Sequence, residues 1–315
     1  MNRVNIKEAS KILESLDFVV IYTHAHPDGD ALGSSFALCE ILKKMGKRVK
    51  VVCLDTLPAY LQFIWDVKGD DFEAQNIVTC DVADMTLLGD YKENKKIVLA
   101  IDHHKQNRVD CENLLCIPEM AATGEIIFEL AREMNISLDT YIAECLYTAI
   151  STDTGCFKFS NTTAHTFFAV SELCRYAPEG NFGYLNTPLF ITKSVNKMKF
   201  ENEIISNMKF YFEGKVSVAV VDTELLKKHS VSDSETGGVE QLGKTLEGVE
   251  LAITLKERED GYKVSMRSSD SIDCSEICGH FSGGGHHSAA GCFFKKSADE
   301  TVTEILSYIE EKGIL

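Results

Sequence analysis

In the stretch Ile21 to Ser35, IYTHAHPDGDALGSS, His24, Asp28 and Asp30 crowd together directly behind an apolar run. Further along, Asp81 stands in IVTCDVAD, Asp102, His103 and His104 close the run IVLAIDHH, and Asp153 lies in TAISTDTGCF. Imidazoles and carboxylates are donors for hard or borderline divalent cations, and carboxylates gathered without a cation repel one another. Each motif alone has a plainer explanation. Asp30 ahead of Ala31 suits a helix N-cap. Adjacent residues on a strand, such as His103 and His104, point to opposite faces. Asp153-Thr154-Gly155 suits a turn. What favours metal chemistry is common placement, at the ends of segments that an α/β sheet brings together where ligands bind. The donors outnumber what one ion needs and fit a pair of divalent cations. Mn²⁺ is preferred over Mg²⁺ because of the histidines, and a set without cysteine argues against structural zinc.

The elements that would position these donors follow from hydrophobic periodicity. Strands are expected over 18–22, 49–54, 76–80 and 97–101, with helices over 31–45, 123–134, 140–151 and 164–176. That alternation predicts an α/β domain with a mainly parallel sheet flanked by helices. Residues 187–210 read as amphipathic and helical, a connection between domains. Beyond them, strands over 216–221, 249–255 and 262–266 and helices over 239–246, 274–281 and 298–311 predict a smaller α/β domain. The expected division is 1–186 for the metal-binding domain, 187–212 for a helical linker and 213–315 for a substrate domain, with the active site in the cleft between the two domains. No internal repeat or low-complexity segment interrupts the pattern.

The chain has 315 residues, 44% of them hydrophobic, and a formal net charge of −16 shared by both parts. Neither part is basic, which excludes tight, sequence-independent binding to long duplex nucleic acid. A small phosphorylated ligand held by metals remains compatible. Eleven cysteines without a C-x-x-C pair read as reduced thiols, most of them core. The N-terminus shows no charged start followed by an apolar segment, and the apolar runs are too short for a bilayer, so a cytoplasmic protein without membrane contact is expected.

In order and spacing, HAHPDGDALGS, CDVAD, DHH and TDTGCF resemble the four motifs of the DHH phosphoesterase superfamily. The C-terminal segments MRSSDSIDCSEIC and FSGGGHHSAAG resemble the DHH-associated substrate domain of its bacterial nanoRNase and 3′-phosphoadenosine-5′-phosphate phosphatase subfamily. The resemblance implies one metal held by His24, Asp28 and Asp81, and a second held by Asp30, Asp81, His103 and Asp153, with Asp81 shared and a bridging hydroxide as nucleophile. It further implies that His104 faces the substrate phosphate, that Asp102 orients an imidazole, and that Arg267, Gly284, Gly285 and His286 hold the nucleotide part. His26 is left between an indirect or surface role and a substrate contact. The implied activity is hydrolysis of short oligoribonucleotides to 5′-mononucleotides and removal of the 3′-phosphate from 3′-phosphoadenosine 5′-phosphate, by a chain that also suits a homodimer. The alternatives are hydrolysis of linear dinucleotides derived from cyclic di-AMP, inorganic pyrophosphate hydrolysis, and a non-catalytic nucleotide sensor on the same fold.

Overall fold

A computed structural model of the chain describes residues 1–315 except 26, 54–56, 58, 65–71, 90–95 and 270, and only the backbone of 234 and 286. Two compact units result, Met1–Thr192 and Lys193–Leu315. Among the described residues no helix is long and apolar enough to cross a membrane.

The first unit runs β1 (Asn2–Arg3), α1 (Ile6–Ser15), β2 (Val19–Tyr22), α2 (Gly29–Lys44), β3 (Val49–Val52), β4 (Asn76–Cys80), β5 (Ile97–Asp102), β6 (Cys111–Cys116), α3 (Thr123–Glu133), α4 (Thr140–Asp153), α5 (Ala164–Leu173) and α6 (Gly183–Asn186). Its six strands lie in the order β1-β6-β5-β4-β2-β3, all parallel. The central strands are near-continuous apolar runs, as strands covered on both faces must be. Val19, Ile21, Val78, Leu99 and Ile101 pack with residues of helices α1 to α5, while Val20, Tyr22, Ile77 and Ala100 pack on the opposite face with Val82, Leu88 and Val109. After β2 the chain adds β3 on one side and β4 on the other. The switch in winding direction therefore falls between β2 and β4, where a crevice forms at the carboxyl ends of the strands.

Helices α2 and α4 approach closely because glycines face the contact. A Cβ at Gly33 would overlap the Cys145 carbonyl oxygen and lie 2.9 Å from the Ala149 nitrogen, and one at Gly29 would overlap the Thr152 side chain. Glycine at position 29 thus serves helix packing. Gly33→Ala should force the two helices apart and cost about 1–3 kcal/mol, as overpacking does. Urea unfolding should show a lowered midpoint with an unchanged slope.

The second unit contains α7 (Val195–Ser206), β7 (Lys209–Tyr211), β8 (Val216–Val221), α8 (Thr223–His229), β9 (Leu251–Arg258), β10 (Gly261–Ser268), α9 (Cys274–His280), β11 (Gly284–His286), β12 (Ala289–Phe294) and α10 (Ala298–Glu311). Its mixed sheet has the order β11-β12-β10-β9-β8-β7, with only β8 and β9 parallel. The 187–212 segment is not one helix: a short turn of helix at Thr187–Ile191 precedes the division, and α7 buries Phe200 and Ile204 against Ala219, Val221 and Val239 of the second unit. The helix expected over 239–246 is instead two short 3₁₀ turns, Val239–Gln241 and Gly243–Thr245. Gly243 lies so close to Ser217 and Ala252 of the sheet that no side chain fits there. All eleven cysteines are free thiols.

Candidate metal centre

Three adjacent strand ends and two helix termini converge at the crevice of the first unit. His24 follows β2, Asp81 follows β4, and Asp102 ends β5 with His103 and His104 directly after it. Asp28 and Asp30 stand at the start of α2, and Asp153 is the last residue of α4. His26 lies outside the described residues.

Asp81 is the hub. It is buried and held at a φ of 60°, a left-handed conformation uncommon outside glycine and best tolerated by Asn and Asp. One of its oxygens is 3.7 Å from His24 Nε2, and the other is 3.7 Å from His103 Nε2 and 3.5 Å from His104 Nδ1. His24 Nε2 is also 3.9 Å from Asp28, and His103 Nε2 is 3.8 Å from Asp30 and 3.4 Å from Asp153. These spans exceed hydrogen-bond length. A cation with donors at about 2.0–2.2 Å holds neighbouring donors about 3–4 Å apart, which is the spacing seen. Among the described residues, three sets of donors fall within 4.8 Å of one another: His24, Asp28 and Asp81; Asp30, His103 and Asp153; and Asp81, His103 and His104.

The tautomers support the same chemistry. His24 Nδ1 lies 2.8 Å from its neighbour Ala25's carbonyl, and His103 Nδ1 lies 3.2 Å from the Met120 carbonyl. A carbonyl only accepts, so each Nδ1 carries a proton and each Nε2 is the ring atom turned toward the carboxylates. His104 is arranged in the opposite sense. Its Nδ1 donates to Asp102 at 2.8 Å, and the ring is 34% exposed. Burial opposes a charge on His104, yet Asp102 and Asp81 outweigh it and raise its pKa to about 10. Asp102 is fully buried and accepts as well from the backbone N–H groups of His103 and His104 and from Asn107 Nδ2 at 2.6 Å. Despite burial, these bonds lower its pKa. His103 and His104 follow the last residue of β5, so strand alternation does not separate them; their rings meet edge to face with centroids 4.6 Å apart.

The caps depart from the plainer explanation of Asp30. Asp28, and not Asp30, caps α2, its Oδ1 accepting from the N–H groups of Asp30 and Ala31. Asp30 caps a different helix. Its carboxylate accepts from Thr123 N–H at 2.7 Å and Gly124 N–H at 2.9 Å at the start of α3, whose own N-cap, Ala122, offers no side-chain acceptor. Ser34 donates to it as well, and Thr123 Oγ1 donates to Asp81. Thr123, Gly124, Ser34 and Asn107 were not anticipated as supports of the site. The available signal was AATGE, a run of small residues opening a helix without its own cap. The strand before it, β6, was missed because Glu112 and Asn113 interrupt its apolar run. Asn161 Nδ2 donates to the Asp153 and Ala121 carbonyls and fixes the end of α4.

Burial, followed by the charge of neighbouring carboxylates, raises the pKa of Asp30, Asp81 and Asp153 well above the ordinary range. A folded pKa above the unfolded value of about 4 contributes stability that is complete at low pH and lost as pH rises through the folded value. Protein stripped of metal should therefore show a falling thermal midpoint from acid pH through neutrality. Added Mn²⁺ should flatten that fall, and differential scanning calorimetry with and without Mn²⁺ measures it.

The positions expected to hold the nucleotide lie in the second unit. Arg267 of β10 pairs in register with Ala289 of β12, which pairs with His286 of β11, so the three form one row across the sheet. The glycine stretch expected to hold the nucleotide part is largely strand β11, paired from Gly284 to His286 with β12. Gly285 has a φ of 147°, and a Cβ there would press on Ala289 and Ala290. Gly284 faces open space. The His286 side chain lies outside the described residues.

The DHH family N-terminal domain matches residues 18–150, and the DHHA1 domain matches residues 213–312. The chain belongs to the DHH family. The first match ends just short of Asp153, which the fold returns to the centre. A Thermus thermophilus protein named bifunctional oligoribonuclease and PAP phosphatase NrnA is 28% identical over 93% of this chain and 90% of its own length. A Bacillus subtilis protein of the same name is 28% identical over 90% and 91%. A crystal structure of an exopolyphosphatase-related protein from Bacteroides fragilis superposes with a TM-score of 0.86 at 25% identity, covering 98% of this chain and 96% of that one.

Proposed function

We propose that this DHH-family hydrolase is a divalent-metal phosphoesterase, Mn²⁺ preferred, that cuts very short oligoribonucleotides to 5′-mononucleotides and removes the 3′-phosphate of 3′-phosphoadenosine 5′-phosphate. One observation carries the metal part: His24 and His103, each tied through Nδ1 to a backbone carbonyl, present Nε2 to carboxylates around Asp81 at cation spacing. The substrate class rests on NrnA-named relatives that match nearly the whole chain. Relatives named manganese-dependent inorganic pyrophosphatase match only about half of it, 53% in the Enterococcus faecalis case.

His24, Asp28 and Asp81 hold one cation, and Asp30, Asp81, His103 and Asp153 hold the other. Bound there, the cations supply a polarised phosphoryl oxygen and a water acidic enough to attack at neutral pH. Asp102 keeps His104 protonated with Nδ1 turned inward, so the imidazolium stabilises phosphate charge or gives a proton to the leaving oxygen. Arg267, the backbone N–H groups near Gly284 and Gly285, and His286 bind the nucleotide part.

The deciding assay offers the Mn²⁺-loaded protein a labelled RNA dinucleotide, 3′-phosphoadenosine 5′-phosphate and inorganic pyrophosphate side by side. Cleavage of the first two is expected; turnover of pyrophosphate alone would overturn the substrate assignment.

A further inference from the structure

We infer that the second unit carries an additional nucleotide subsite, formed by Lys263 and Phe293, for the residue of an RNA chain beyond the one at Arg267; this rests on the short-RNA reading above. The alternation of β10 and β12 assigns the sheet's two faces. Val264, Met266, Ala290, Cys292 and Phe294 pack into the core with α9 and α10. Lys263, Ser265 and Arg267, with Ala289, Gly291 and Phe293, therefore belong to the opposite face.

Lys263 is exposed and stands directly opposite Phe293, which is 40% exposed. The next row along, Ser265 with Gly291 and Gly284, carries only a hydroxyl and backbone. Gly284 in this row is exposed and leaves the face of the edge strand open to a planar base. Beside Lys263 in β9, Lys256 pairs with Asp233 at 2.8 Å, a carboxylate it shares with Arg258, and Lys295 is matched by Asp260 at 2.8 Å. Among the described residues no carboxylate pairs with Lys263 or with Arg267. Two unneutralised cations on one face of a chain with net charge −16 select an anion locally.

The pairing of a cation with an exposed ring matches the two parts of a nucleotide, phosphate and base face. Lys263 lies four residues from Arg267 along the same strand, about 13 Å at strand rise. Side chains stand roughly perpendicular to a sheet, so at this separation the two cations meet different phosphates of one chain.

The test compares an RNA dinucleotide with a trinucleotide on the full-length, Mn²⁺-loaded protein and on Lys263→Ala, Phe293→Ala and Phe293→Tyr. Each alanine variant should raise KM for the trinucleotide about tenfold, the order of one lost stacking or phosphate contact, while the dinucleotide stays within twofold. Lys263→Ala should also weaken the salt dependence of trinucleotide binding, and Phe293→Tyr should behave as wild type. Equal effects on both substrates, or none on the trinucleotide, would overturn the inference. Unchanged kinetics with an altered oligomeric state in Phe293→Ala would assign the face to a second copy of the chain and also overturn it. Anisotropy of labelled di- and trinucleotides in Ca²⁺ gives the same comparison without turnover. Selective weakening of trinucleotide binding there in the alanine variants, when the wild type cleaves neither substrate, would keep the subsite and reject the proposed activity.

Discussion

Asp81→Asn is expected to lower hydrolysis of an RNA dinucleotide and of 3′-phosphoadenosine 5′-phosphate by at least about a thousandfold, because Asp81 stands between His24 and His103 with one oxygen facing each, and both proposed cation sites draw on it. Asparagine is the informative replacement. It tolerates the left-handed backbone at this position, whereas alanine would add strain to the loss of charge. The same substitution should make the metal-stripped protein more stable near neutral pH, since one of three buried, mutually repelling carboxylates becomes neutral. Thermal unfolding with added Mn²⁺ should then show little of the stabilisation that wild type gains. Activity lost together with stability gained distinguishes a metal-holding residue from a structural one; loss of both would point to a folding defect and reject the assignment.

The second large effect concerns His104. His104→Asn should lower kcat by about 10²- to 10⁴-fold, the range for loss of a positioned acid, while metal content measured by atomic absorption stays at the wild-type level. Asp102→Asn acts through His104. It leaves the ring a neutral partner, so His104 loses its protonated state nearer its ordinary value and the alkaline limb of the pH–rate profile should move to lower pH. A wild-type profile in that variant, or loss of metal from the His104 variant, would show that the pair belongs to metal holding and not to the phosphate.

The apolar runs at 18–22, 76–80 and 97–101 became β2, β4 and β5 within a residue, since buried parallel strands leave an unbroken hydrophobic signature. The donor clusters at their ends were legible for the same reason, because a polar motif directly behind a buried strand has one place to go. Strand β6 and helix α1 were hidden: Glu112 breaks the first pattern, and α1 carries its apolar residues on one narrow stripe. The edge strand β11 reads as a turn because three glycines offer no β propensity, and only pairing with β12 makes it a strand.

Residue types and local spacing by themselves determined the donor inventory, the two α/β patterns and the acidic balance, all of which are properties of neighbours along the chain. Only the tertiary structure decided that Asp28 caps α2 while Asp30 caps α3 some ninety residues away, and that Thr123 and Asn107 hold the carboxylates in place. Those relations depend on strand order and on the close approach of α2 and α4 at Gly29 and Gly33. Contacts between residues far apart in sequence are fixed by packing, and packing leaves no periodic mark on either partner.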